Sequence, residues 1–132
     1  MIEQPQRGEI WRVNLEPTRG GEIQKDNRPV LVLSRPGVGT VGVSLCAPIT
    51  DYKPDRDKRR YWRVVIGDNE LSGLDKLSCA DVSQTRALDV SRFVLQDGRA
   101  HPVEIEASAA ALAKCVGYTP PQPAPLESTP EP

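Results

Sequence analysis

Arg28 is the residue whose type and setting most invite chemistry. It ends a polar, glycine-bearing loop, Gly20-Gly21-Glu22-Ile23-Gln24-Lys25-Asp26-Asn27, and directly precedes the apolar run Pro29-Val30-Leu31-Val32-Leu33. Pro29 restricts the residue before it to extended backbone. A guanidinium held there is a planar, permanent cation, which suits phosphate chemistry better than a flexible surface arginine. By spacing alone, an ion pair with Glu22 or Asp26 is the plainer explanation. Thr50, at the end of another strand-like run, is a weaker candidate, because strand ends carry many threonines. His101 is the single histidine, so a two-histidine ribonuclease mechanism is excluded, and its place before Pro102 reads as a helix N-cap. No dinucleotide-binding GxGxxG, P-loop or HExxH pattern is present, and no serine, histidine and acid arrangement stands out. The charged run from Asp51 to Arg60 reads as a solvated surface loop rather than a nucleic-acid clamp.

The elements that must position these residues are mostly strands. Trp11, Val13 and Leu15 alternate with polar neighbours, which predicts a half-buried strand. Pro29 to Leu33 reads as a central strand, and Arg35-Pro36-Gly37-Val38-Gly39 as a turn. Val41, Val43, Leu45, Ala47 and Ile49 form the longest period-two signal, predicting one core face, with Thr50 on the opposite one. Tyr61 to Ile66 predicts a further strand and Gly67 to Lys76 a loop. Cys79 to Leu88 predicts one or two short strands, Asp89 to Phe93 a helical turn, and Val94 and Leu95 a last strand. Pro102 to Val116 predicts a helix: proline suits its first position, Glu104 and Glu106 its first turn, and Gly117 follows its end. Ile105, Ala109, Leu112 and Val116 make its expected buried face. Five or six short strands with one terminal helix predict a small, strongly curved, barrel-like sheet.

At 132 residues, with 17 basic and 18 acidic side chains, the chain has room for one modest core and no duplex-coating charge. The three cysteines, Cys46, Cys79 and Cys115, are widely spaced and predict free thiols rather than a metal site or a disulfide framework. No signal-like or membrane-spanning apolar run is visible, so a cytoplasmic location is expected. The expected domain spans residues 1–118, and Thr119 to Pro132, rich in proline and poor in apolar residues, is expected to be an extended, disordered tail.

Taken together, the blocks Arg7-Gly8-Glu9-Ile10-Trp11, Leu15-Glu16-Pro17-Thr18-Arg19-Gly20-Gly21-Glu22-Ile23, Arg28-Pro29-Val30-Leu31-Val32-Leu33 and Ala47-Pro48-Ile49-Thr50 resemble the MazF/PemK family of toxin endoribonucleases. Gly73-Leu74-Asp75-Lys76 and Gln84-Thr85-Arg86-Ala87-Leu88-Asp89 look like the family's later blocks, so the resemblance runs over about residues 6 to 117. It implies an SH3-like β-barrel that acts as the toxin of a type II toxin–antitoxin system. Such a toxin works as a homodimer, without metal or cofactor, and cuts single-stranded RNA at a short sequence. It also implies a cognate, MazE-like antitoxin that is acidic and partly disordered, and no membrane partner.

Carried over residue by residue, the resemblance places the family's catalytic arginine on Arg28 and its catalytic threonine on Thr50. The loop from Glu16 to Asn27 corresponds to the one that moves over the RNA. Glu22 is a candidate general base, and Arg19, Gln24, Lys25, Gln84 and Arg86 are candidate RNA-binding residues. The implied reaction is attack of the ribose 2′-OH on the adjacent phosphate, leaving a 2′,3′-cyclic phosphate and a 5′-OH. Thr85, where the family commonly has isoleucine, and the short turn at Arg35 to Gly39 depart from the pattern. Two readings compete. A CcdB-like gyrase-poisoning toxin would act through its last helix and residues, and a non-catalytic RNA- or protein-binding barrel would bind without cutting. The absence of a terminal aromatic anchor after the helix disfavours the first.

Overall fold

A computed structural model of the chain describes residues 4–23 and 27–121. Its elements run β1 (Glu9–Val13), β2 (Arg28–Val32), β3 (Val43–Asp51), α1 (Pro54–Asp57), β4 (Arg63–Ile66), β5 (Ser78–Asp81), β6 (Arg86–Asp89), β7 (Phe93–Arg99) and α2 (Pro102–Cys115). Every strand pairing is antiparallel, and the main path of the sheet is β4-β5-β3-β2-β1-β7. The nine-residue β3 is the hub. Along one edge it pairs with β2, and along the other it pairs first with β6, through Val43 to Cys46, and then with β5, through Ile49 to Asp51. Pro48 stands where that partner changes, a place suited to a residue that cannot donate to a ladder. The path does not close into a complete barrel. The ends, β4 and β7, are bridged instead by α2 and the loop after β4.

The bend in the sheet gives it two apolar cores. Leu31, Leu33, Ala47 and Ile49 point to one, together with Ile66, Ala80 and Val82, and Ile105, Ala111, Leu112 and Cys115 of α2 pack against it. Val13, Leu15, Val30, Val32, Cys46, Leu88 and Phe93 fill the other, where Trp11 meets Phe93 edge-on at 5.7 Å. A strand covered on both faces needs apolar residues at every position. This is why Val30 to Leu33 reads as an unbroken run.

The fold agrees with the expected curved β-sheet and terminal helix but corrects several particulars. Among the described residues there are seven strands instead of five or six, with Cys79 to Leu88 taking the two-strand alternative as β5 and β6 around a 3-10 turn at Val82–Gln84. The expected core face of β3 holds only at Ala47 and Ile49. Val41 is 97% exposed and Leu45 is exposed, because the cover supplied by α2, β4 and β5 does not reach that end, while Ser44 and Cys46 are buried. The face of α2 is rotated from the expected one. Ser108 is fully buried and donates to the Glu104 carbonyl, whereas Val116 is 76% exposed beyond the last turn. His101 does cap α2: its Nδ1 accepts from Val103 N, and Glu104 closes the box on the His101 N–H. Cys46 and Cys79 are buried and Cys115 is partly exposed, and burial pushes the Cys46 thiol up to about 12. Of the expected tail, residues 122–132 lie outside the described residues.

The expected solvated loop at Asp51 to Arg60 is also corrected. It contains α1 and buries Asp57, which is 1% exposed. Asp57 accepts from Arg56 Nε and Nη2, each at 2.7 Å, and from Lys53 N at 2.9 Å, with Arg60 and Arg63 at 3.8 and 3.7 Å. Arg63 Nε also lies 2.9 Å from buried Asp81, without the alignment of a hydrogen bond, so that contact acts as an ion pair. The run is therefore structural in part: it fastens the β3–β4 connection to β5.

Two close approaches seat the loop after β4 on β7. A Cβ on Gly73, whose φ is +70°, would lie 2.2 Å from the Asp97 carbonyl oxygen, and one on Gly98 would lie 2.2 Å from that of Leu71. Only glycine fits either place. Arg99 N donates to the Leu71 carbonyl at 2.8 Å, which completes the seam.

Candidate active site

The β2–β3 register brings the two leading candidates together. Val30 lies opposite Pro48 and Leu31 opposite Ala47. Continuing that antiparallel register two places outward sets Arg28 across from Thr50, and both line one open pocket of about 160 Å³. Arg28 begins β2, so its side chain leaves the sheet just where the ladder ends. Its Nη1 donates to the Ile49 carbonyl at 3.2 Å. Burial lowers the Arg28 pKa from its ordinary value, while the charge of Asp51 opposes that shift. Thr50 is half-buried, in ladder with Cys79 of β5 on its other side.

The pocket contains residues that sequence reasoning did not single out for the site: Arg12 from β1, Asp51 from the end of β3, and Lys76 from the loop seated by Gly73. The polar half of the β1 alternation was the one available signal for Arg12. Lys76 belonged to the block Gly73-Leu74-Asp75-Lys76 but had no mark of its own for the site, and Asp51, 4.0 Å from it and 25 residues away, had no signal. Arg12 Nε lies 3.1 Å from both carboxylate oxygens of Asp97. The pocket thus gathers two guanidiniums, an ammonium and the hydroxyls of Thr50 and Ser78 against Asp51 and Asp75, an arrangement able to hold a phosphodiester and to donate hydrogen bonds to it.

The other candidates fall elsewhere. Glu22, Gln84 and Arg86 line a second pocket of about 560 Å³, with Leu15 and Pro48 in its wall. Pro48 in the wall of one and Thr50 in the wall of the other are two residues apart on β3, roughly 7 Å along the strand. Glu22 is committed to its own loop, where its carboxylate accepts from Arg19 N and its N–H donates to the Arg19 carbonyl. It is not brought to the Arg28–Thr50 pocket. Arg19 is exposed on that same loop turn. Gln24 and Lys25, like Asp26, lie outside the described residues.

Gln84 holds the loop. Its Oε1 accepts from Ile23 N at 2.6 Å and its Nε2 donates to the Gly21 carbonyl at 3.1 Å, across more than sixty residues of chain. Both ends of the amide are therefore used by loop backbone. Each neutral hydrogen bond of this kind is worth about 1 kcal/mol net. Gln84→Ala is expected to raise amide exchange at Ile23 and its neighbours by roughly tenfold, read by hydrogen–deuterium exchange, with the β2 and β3 amides unaffected.

Among the described residues, no group of three or more His, Cys, Asp and Glu side chains is arranged to hold a metal ion. No described helix is long and apolar enough to cross a membrane.

Comparison with known proteins gives one family and one fold. The family described as PemK-like, MazF-like toxin of type II toxin-antitoxin system matches residues 6–116. No curated protein matches the sequence significantly. Among solved structures, a MazF from Deinococcus radiodurans is similar over 89% of this chain and 100% of its own, with TM-score 0.73 and 23% identity. An endoribonuclease from a mycobacterial species, solved in complex with its cognate antitoxin, is similar over 89% of this chain and 99% of its own, with TM-score 0.68 and 18% identity. The Mycobacterium tuberculosis toxin MazF-mt6 is similar over 84% of this chain and 98% of its own, with TM-score 0.64 and 22% identity. At these identities the likeness is one of fold.

Proposed function

The chain belongs to the PemK-like, MazF-like toxins of type II toxin–antitoxin systems, and from that membership we propose that it is a sequence-specific endoribonuclease. In this reading it cuts single-stranded messenger RNA and so arrests translation and growth. The observation that carries the reading is the meeting of Arg28 and Thr50 in one pocket across the β2–β3 ladder. The ribose 2′-OH attacks the adjacent phosphate, the bond to the 5′-oxygen breaks, and a 2′,3′-cyclic phosphate and a 5′-OH result. Only RNA carries that nucleophile, so DNA is refused without a dedicated pocket. Charge that gathers on the non-bridging oxygens meets the Arg28 guanidinium, and Thr50 Oγ donates a further hydrogen bond. Arg28 is a charge stabiliser and not a base, since even a lowered guanidinium pKa leaves it protonated near neutral pH. For Glu22 to act as base, the loop would have to release Gln84 and carry the carboxylate to the Thr50 pocket.

The working unit in this reading is a cytoplasmic homodimer of domains spanning residues 1–118, acting without metal or cofactor and restrained by an acidic, MazE-like antitoxin laid over the pockets. Two of the solved relatives' names speak to the same pairing: the mycobacterial endoribonuclease is bound to its cognate antitoxin, and a MazE-MazF complex is known from Deinococcus radiodurans. The test is digestion of a long RNA in the presence of EDTA with mapping of the new 5′-OH ends. Cuts at a recurrent short word are expected, and Thr50→Val is expected to slow them by about a hundredfold or more. Intact RNA would overturn the reading. Cutting that EDTA abolishes would overturn its metal-free chemistry.

A further inference from the structure

The β1–β2 ladder sets Arg12 opposite Pro29, one place along from Arg28, which lies opposite Val13. The two arginines therefore begin on neighbouring strands one register place apart, and both line one pocket. Arg12 is anchored by its inner nitrogen alone. Nε is held between both oxygens of Asp97, whose side chain is 9% exposed, while the Arg12 side chain is 38% exposed. Asp97 is itself immobilised, because its backbone lies under Gly73 with no space for a Cβ between them. No hydrogen bond or ion pair among the described residues occupies the two terminal nitrogens of Arg12. A structural ion pair would normally use the two-pronged face of the guanidinium. Here Asp97 takes only the Nε position and leaves that face for another planar anion.

We propose that Arg12, aimed by Asp97, is a second phosphate-binding residue of this pocket and takes the phosphodiester next to the one engaged by Arg28. The inference rests on the ribonuclease reading and deepens it. Arg28 meets charge that develops during reaction, whereas Arg12 meets a phosphate whose charge does not change. Arg12 therefore contributes to substrate binding and not to the chemical step. Lys76 at the pocket rim is largely exposed and lies 4.0 Å from Asp51, and Asp75 lines the same pocket. A backbone entering here thus meets one anchored guanidinium ahead of Arg28, which sets its register.

The experiment uses the full chain and an RNA oligonucleotide carrying the cleavage word mapped for the wild-type protein, with a 2′-O-methyl group at the scissile ribose to block reaction. Arg12→Gln is expected to lower the magnitude of the slope of log affinity against log salt by about 0.7, the value for one phosphate contact on a single strand. With cleavable RNA it is expected to raise KM about tenfold or more with kcat nearly unchanged. Arg12→Lys keeps the charge without the Nε donor and is expected to restore the slope and only part of the KM. Wild-type slope and KM in both variants, with only a lowered melting temperature, would reduce the pair to a structural ion pair and overturn the proposal. Wild-type protein that cuts no RNA would instead overturn the ribonuclease reading and this inference with it.

Discussion

Arg28→Ala is expected to abolish RNA cleavage, by about a thousandfold or more in the single-turnover rate, while the protein stays folded. Losing one preorganised donor at a developing anion costs roughly a hundredfold to a thousandfold, and alanine here removes two donors and the charge together. The half-buried side chain gives up its bond to the Ile49 carbonyl, but the strand beneath it, Val30 to Leu33, keeps both apolar cores. Arg28→Lys is expected to recover little, because an ammonium keeps the charge without the planar fork. The check pairs mapped 5′-OH ends with a thermal melt. Undiminished cutting by a folded Arg28→Ala protein would refute the assignment, and a collapsed melt would show Arg28 to be structural.

Asp57→Ala is expected to be the most destabilising surface-region substitution, at roughly 3 kcal/mol, because it leaves several cations facing one another without their anion. Arg63 is only 13% exposed and would retain Asp81 alone. The figure sits at the low end for a buried pair because the cover over Asp57 is made by Arg56 and Arg60, themselves about 40% exposed, and solvent screens them. The hydrogen bonds from Arg56 hold the Asp57 carboxyl well below its ordinary 3.8. A lowered carboxyl pKa stabilises the fold above the unfolded value and loses that contribution as pH falls through the folded one. The stability gap between wild type and Asp57→Asn in urea should therefore be full near neutrality and shrink only below about pH 4. A gap independent of pH would show that the shape of the side chain, and not its charge, holds α1 in place.

Much of the fold was legible because it is written in local periods. Helix α2 announces itself by His101 at its cap, Pro102 at its start, Glu104 in its first turn and Gly117 just beyond its end, each a local signal. The strand after Arg28 shows in its unbroken apolar run. The reading failed where burial depends on what lies opposite. The alternation of Val41, Val43 and Leu45 promised a core face, yet among the described residues the cover from α2, β4 and β5 does not reach that face, and Val41 and Leu45 are exposed. Asp57 carries no local mark of burial, because its partners Arg56, Arg60 and Arg63 look in sequence like ordinary surface charge.

For the site, the amino-acid sequence by itself determined the family blocks, whose resemblance implied Arg28 and Thr50 as candidates, and most of the strand and helix types that carry them. The element types follow from residue identity and short spacing, whereas spacing alone gave Arg28 and Thr50 no link to each other. Tertiary structure decided which side chains share a pocket. The β2–β3 register puts Arg28 across from Thr50, Gln84 ties the loop that holds Glu22 to the neighbouring pocket, and two glycine contacts seat the loop that carries Lys76 on β7, whose Asp97 holds Arg12. Each of these is a long-range contact whose geometry is set by strand register and close packing. A one-residue slip in either ladder would leave the sequence blocks intact and turn Arg28 or Thr50 to the other face of the sheet.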